Sequence, residues 1–150
     1  NDRTHQLKLS GYRALPFGLS VGIVFRYASG QPLSIYGDAP QPVLQGGAPP
    51  PRATRYLLPR GTYAELPSTY GIDLHLQYSF HVGAVSIVPV MDVFNLTNVQ
   101  RATARFQRYN TRDTITNDQP PFTSPSNPFF GKDMDWQQPR LVRLGLKAAF

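Results

Sequence analysis

The sequence predicts an all-β protein: a fragment of an antiparallel transmembrane β-barrel, about five long strands with two long Pro-rich extracellular loops. Three observations lead there. Apolar and polar residues alternate over stretches of ten or more positions, and short and long connections alternate between those stretches. Charged residues make up only 16% of the chain and aromatics 12%. A soluble domain carries roughly 25% charged residues, yet mean hydropathy here is slightly negative at -0.31. Strands with one apolar and one polar face reconcile the two figures.

Taken in order, the first strand falls near 5–13, with Leu7 and Leu9 opposed to Gln6, Lys8, Ser10 and Tyr12. Ala14-Leu15-Pro16 separates it from a second near 17–28. There Phe17, Leu19, Val21, Ile23, Phe25 and Tyr27 share one face, and Gly18, Ser20, Gly22, Val24, Arg26 and Ala28 the other. The third, near 69–80, alternates without a break: Tyr70, Ile72, Leu74, Leu76, Tyr78 and Phe80 against Thr69, Gly71, Asp73, His75, Gln77 and Ser79. Unbroken period-two alternation places one set on each face of a strand. After the short connection His81-Val82-Gly83, a fourth strand near 84–95 is apolar on both faces, with Val85, Ile87, Met91 and Val93 as the outward set and Asp92 inward. Pro89 sits mid-strand, where it cannot donate to a ladder, and predicts a bulge. The fifth, near 140–150, sets Arg140, Val142, Leu144, Leu146, Ala148 and Phe150 against Leu141, Arg143, Gly145, Lys147 and Ala149.

Segments of ~10–13 residues exceed the ~5–6 common in globular proteins and match the ~9–11 that a tilted membrane strand needs. Thirteen of the fifteen prolines lie in the two long connections, near 29–68 and 97–139, which read as structureless. Long structureless loops are foreign to a compact soluble domain; short turns on one side and long loops on the other are what outer-membrane barrels show. Tyr27 and Tyr70 lie near one end of the apolar faces, and Phe17, Phe80 and Phe150 near the other, as aromatic girdles do. Beginning at Asn1-Asp2-Arg3, the chain reads as a piece of something longer or a mature C-terminal part.

Several function classes recede. The net charge of +6 comes from fifteen Lys and Arg that never stand side by side, a solvated basic surface rather than a nucleic-acid patch. There is no cysteine, hence no disulfide framework and no thiolate site. His5, His75 and His81 lack metal-ligand spacing. No nucleophile elbow or phosphate-cradling loop is present, so no catalytic residue, metal or cofactor is expected and the chain is not read as an enzyme. Asn95-Leu96-Thr97 matches a glycosylation sequon but closes a strand, and is set aside.

Four stretches, in order, carry a family resemblance: Tyr12-Arg13-Ala14-Leu15-Pro16-Phe17-Gly18; Ala28-Ser29-Gly30-Gln31-Pro32-Leu33; Asp92-Val93-Phe94-Asn95-Leu96-Thr97-Asn98; and the ending from Gln138-Pro139-Arg140 through Leu144-Gly145 to Phe150. They resemble the C-terminal barrel region of TonB-dependent outer-membrane receptors, in particular the Oar-like subgroup with a carboxypeptidase-regulatory-like domain. Thr97 departs from the family's usual Phe. The resemblance implies the last five strands of a 22-stranded barrel in the bacterial outer membrane and energy-coupled import of a large ligand such as a siderophore, oligosaccharide or peptide. It implies as partners outer-membrane lipid, the barrel-assembly machinery, an N-terminal plug and the remaining barrel of the same parent protein, and a TonB-type energy-coupling protein. No nucleic-acid partner is expected. The alternatives are a passive or adhesive outer-membrane barrel and a soluble β-sandwich binding module.

Three residue sets are candidates for function. Phe150, Ala148, Leu146, Leu144 and Val142 form the lipid-facing row of the closing strand and resemble a barrel-assembly signal, read by strand addition. Arg26, Asp73, His75, Asp92, Arg143 and Lys147 lie on inward faces and read as a polar lumen network. Asp73 and Asp92 fall nearly opposite if the short turn at Val82 sets the register; facing carboxylates repel, so Arg26 or Arg143 must supply a cation. Two acids also raise glycoside hydrolysis, but no pocket or acid-tuning environment accompanies them. Third, Arg105, Arg108, Tyr109, Phe129, Phe130 and Trp136 interleave cations and aromatics in the second long loop, as ligand contacts do; equally, the aromatics fold the loop onto itself.

Overall fold

The structure, a computed structural model, describes residues 3–39, 53–110 and 124–149. It is all-β. In chain order the strands are β1 (Gln6–Ala14), β2 (Leu19–Ala28), β3 (Pro32–Leu33), β4 (Tyr36–Ala39), β5 (Ala53–Tyr56), β6 (Ala64–Glu65), β7 (Thr69–Tyr78), β8 (Phe80–Val82), β9 (Val85–Phe94), β10 (Ala102–Arg105), β11 (Asp133–Trp136) and β12 (Leu141–Ala149). Every strand ladder is antiparallel. Among the described residues no α-helix forms, and no helix is long and apolar enough to cross a membrane.

The chain divides into two compact units. The sheet unit comprises Arg3–Ser29, Ser68–Arg101 and Gln137–Phe150; the loop unit is built from Gly30–Pro67 and Ala102–Trp136. In the sheet unit five long strands lie in the order β1-β2-β7-β9-β12, with β8 also on β9. Among the described residues β1 pairs only with β2 and β12 only with β9, so both outer edges keep unpaired backbone groups and the sheet is open.

Local sequence explains each turn. Leu15 N–H donates to the Leu19 carbonyl at 2.7 Å, closing the β1–β2 hairpin around a 3-10 turn at Pro16–Gly18. Phe17, expected as the first residue of the second strand, belongs instead to this turn: its φ is 65° and the residue is 91% exposed. Gly18 follows at φ 82°, where a Cβ would collide with the Ser79 carbonyl oxygen. His81 and Val82, expected as a connection, are strand residues. The tip is Gly83-Ala84, between the paired Val82 and Val85, with Gly83 at φ 63°. A glycine at the first central position is what a II′ hairpin asks for.

Pro89 produces no bulge. It pairs with Leu146 in an unshifted β9–β12 ladder. On the other side the ladder runs to Gln77↔Val90, lapses opposite Pro89, and resumes at Phe80↔Ile87. Both pairs belong to one register, so the missing N–H costs the sheet a ladder rung and no extra residue. That lapse is what divides the expected third strand into β7 and β8.

The long connections are not structureless. In the loop unit β3 pairs with β6, β4 with β5 and β10 with β11. Leu33, Leu66 and Ala102 form one buried cluster, with Tyr63 packed against it. Ile35 and Tyr109, both 0% exposed, form another with Leu57, Leu58, Tyr63 and Phe130. A polar hub sits beside them. Asp38 Oδ2 accepts from Arg108 Nη2 at 2.8 Å and Oδ1 from Thr54 Oγ1 at 2.6 Å, while Asp38 and Asn110 exchange two hydrogen bonds between backbone and side chain, at 2.9 and 2.8 Å. Buried polar groups need such partners, and these have them.

Candidate functional site

Register converts the strand-by-strand alternation into two continuous faces. On one, Leu9 pairs with Phe25 and Phe25 with Ile72; Ile23 with Leu74, Leu74 with Val93, and Val93 with Val142; Val21 with Leu76, Leu76 with Met91, and Met91 with Leu144. Arg13, at the turn end of β1, is the one charged residue of the described strands on that face. Many of its side chains are open to the surroundings, Leu144 at 75% and Leu146 at 71%. Val142, Leu144, Leu146 and Ala148, four of the five residues expected as an assembly signal, line up here on the outermost strand; Phe150 lies outside the described residues.

The other face carries the charges, and the structure gathers most of the expected network on it. Asp92 is the centre. Its Oδ1 lies 2.6 Å from His75 Nδ1, and its Oδ2 accepts from Arg143 Nε at 2.9 Å and Nη2 at 2.8 Å. This follows from register: Asp92 sits directly between His75 on β7 and Arg143 on β12. Cross-strand neighbours on one face meet at the Cβ level, so three consecutive strands each supply one member. Arg143 also lies over the Phe94 ring, 5.5 Å from its centroid.

Asp73 and Asp92 are not opposite each other. The partner of Asp92 on β7 is His75, two residues further along, because the hairpin tip is Gly83-Ala84 rather than centred on Val82. Each acid therefore has its own cation. Asp73 pairs with Arg26 on β2, and its Oδ1 accepts from the Asn95 backbone N–H at 3.0 Å. Lys147 faces the same side, opposite Val88, and makes no ion pair among the described residues.

Asn95 is a residue that sequence reasoning used only as part of a motif. At φ 49° it takes the left-handed conformation that Asn tolerates better than most residues. Its Nδ2 donates to the carbonyls of Val99 at 2.9 Å and Gln138 at 2.7 Å, and Asn98 Oδ1 accepts from Arg140 N–H at 2.9 Å. The pair thus ties the end of β9 to the start of β12.

The third expected set comes apart. Tyr109 is a core residue with no surface to offer a ligand, and Phe130 packs on it edge-on at 5.1 Å. Arg108 is committed to Asp38, and Arg105 Nε to Asp133 at 2.5 Å. Phe129 and Trp136 are open, at 55% and 54% exposure. Interleaved Arg and aromatics here mostly build the loop unit itself. The signal that separates the two uses is partner chemistry, Asp38 and Asp133, which lies far off in sequence or in a different short strand.

With this two-faced sheet in view, its relatives can be named. The chain is similar to a TonB-dependent transporter. Over 179 residues it is 29% identical to the TonB-dependent transporter Oar of Myxococcus xanthus, a match that takes in 99% of this chain and 16% of that protein. The chain therefore spans about a sixth of the relative's length. The likeness supports the TonB-dependent receptor family at a distance. No family model matches, and no solved structure matches significantly. Among the described residues no group of three or more His, Cys, Asp or Glu side chains is placed to hold a metal ion.

Proposed function

We propose that this chain is the C-terminal barrel segment of a TonB-dependent outer-membrane transporter, one that imports a ligand too large for passive diffusion. The observation that carries the reading is the continuous apolar face. Nine large apolar side chains on it, Leu7, Leu9, Ile23, Tyr27, Tyr78, Phe80, Val142, Leu144 and Leu146, are each at least 36% exposed. A soluble monomer rarely exposes a contiguous apolar patch beyond ~300–600 Å², and a lipid-facing barrel wall must. The distant likeness to a transporter over nearly the whole chain supports the same reading.

On this reading the face bearing Asp92, His75 and Arg143 lines the lumen, and the network stiffens the wall against which a plug from the parent protein rests. The open edges of β1 and β12 continue into the remaining barrel, since a membrane strand cannot leave its backbone groups unpaired in lipid. The outward row on β12 is the segment that the barrel-assembly machinery reads. The site is the bacterial outer membrane, and import draws on a TonB-type partner.

The test is to prepare the chain, with the strands that complete its sheet, in plain buffer and in lipid vesicles and record far-UV circular dichroism with sedimentation. β-structure that forms only with lipid supports the proposal. A soluble, cooperatively folded monomer in buffer overturns it and returns the apolar rows to the core of a sandwich.

A further inference from the structure

Near the long-loop end of the sheet unit, the polar face opens into a cleft of about 570 Å³. Lys8, Arg26, Gly71, Asp73 and Phe94 line it. Its charge arrangement is unbalanced. Lys8 and Arg26 are direct cross-strand partners, and like charges so placed repel. One acid, Asp73, answers Arg26 through Nη2, and Asp73 is also held by the Asn95 N–H. Among the described residues no acid pairs with Lys8, and the remaining N–H groups of Arg26 make no hydrogen bond. Beyond Arg26 in the same row stands Gly71, where a Cβ would meet nothing within 4 Å. Two cations thus stand side by side, with an open floor at Gly71 on the far side of Arg26 and the Asp73 carboxylate two residues along β7. Arg26 is fixed by Asp73, so its guanidinium is oriented before anything binds, while Lys8 is free to swing toward a ligand.

We propose that Lys8 and Arg26 form an anion subsite on the cleft floor beside Gly71, which takes the carboxylate or phosphate group of a small dissolved molecule. The proposal rests on the polar face being the aqueous one, as the transporter reading requires. A bound anion removes the Lys8–Arg26 repulsion and meets the unused Arg26 donors in charge-assisted hydrogen bonds. Asp73 sets a limit on its charge and position, because an anion that displaces Arg26 from Asp73 leaves that carboxylate bare. The site therefore favours a single anionic group seated toward Lys8 over a polyanion spread along the strand.

The chain has no cysteine, so Gly71→Cys provides one reporter thiol in open space. The full-length protein, otherwise cysteine-free and folded in lipid vesicles, is treated with two thiol reagents, one anionic and one cationic. The expected result is faster reaction with the anionic reagent. Lys8→Gln, which removes one charge two strands away (~10 Å), lowers the anionic-to-cationic rate ratio about fourfold, whereas Lys8→Arg leaves it unchanged. Inorganic phosphate slows the anionic reagent in the Lys8 protein and not in the Lys8→Gln protein. A thiol that reacts with both reagents, at a ratio that ignores Lys8→Gln and phosphate, overturns the subsite and leaves the transporter reading standing. A thiol closed to both reagents, when Ile72→Cys on the opposite face is open to them, overturns both.

Discussion

Leu144→Lys separates the lipid-facing reading from every aqueous one. Leu144 is the fourth of nine residues in β12, close to mid-strand, pairs with Met91, and is 75% exposed. Burying a leucine fully is worth roughly 1.5–3 kcal/mol, so the outward three quarters accounts for about 1–2 kcal/mol if lipid covers it. A cationic side chain on the lipid face near mid-depth raises the loss to about 2–4 kcal/mol. If water covers the face instead, the same change is a surface substitution worth within about 0.5 kcal/mol. The assay is urea titration of the vesicle-folded protein with the strands that complete its sheet, followed by far-UV circular dichroism and gel mobility, comparing midpoints at a common slope. Gln77→Lys, on the polar face of β7, is the internal control and should move the midpoint little. A Leu144→Lys protein as stable as its parent refutes the argument from the apolar face.

Four further outcomes follow from individual contacts. A double-mutant cycle on Asp92 and Arg143 should give a coupling of about 1 kcal/mol or less, because the Arg143 side chain is 68% exposed while Asp92 is 12%; a coupling several times larger would mean the pair is far drier than its geometry shows. Gly18→Ala should cost more than about 2 kcal/mol in the same titration, given φ 82° and the collision with Ser79, and a neutral result would refute the turn. Asn95→Ala should cost about 1–3 kcal/mol and speed hydrogen exchange at Arg140 and nearby β12 amides, since it releases the Gln138 and Val99 carbonyls; unchanged exchange would remove Asn95 as the tie. Tyr109→Ala should cost the loop unit about 3–5 kcal/mol, read as lost exchange protection at the amides of Tyr36 and Leu57 that bond across it.

The faces of β2, β7 and β12 were legible because alternation is local: successive side chains of a strand point opposite ways whatever the strand pairs with. The limits of those strands were nearly legible too, since prolines and glycines gather where ladders end. The lumen candidates came out on one face for the same reason. Their partners did not. Whether Asp92 meets Asp73 or His75 depends on a hairpin tip shifted by about one residue, and a slip of that size re-pairs the whole row.

Residue order by itself therefore determined an all-β chain of long two-faced strands, with its apolar rows and its scarce charges already sorted. Tertiary structure alone decided three things. It joined the rows into one exposed apolar face across five strands. It let the Pro89 rung lapse without a bulge. It also folded the proline-rich connections around Ile35, Tyr109 and the Asp38–Arg108 pair. Each of these rests on contacts between residues distant in sequence, Asp38 and Arg108 among them. Such contacts leave no period behind, because the short strands that make them are too brief to carry a pattern.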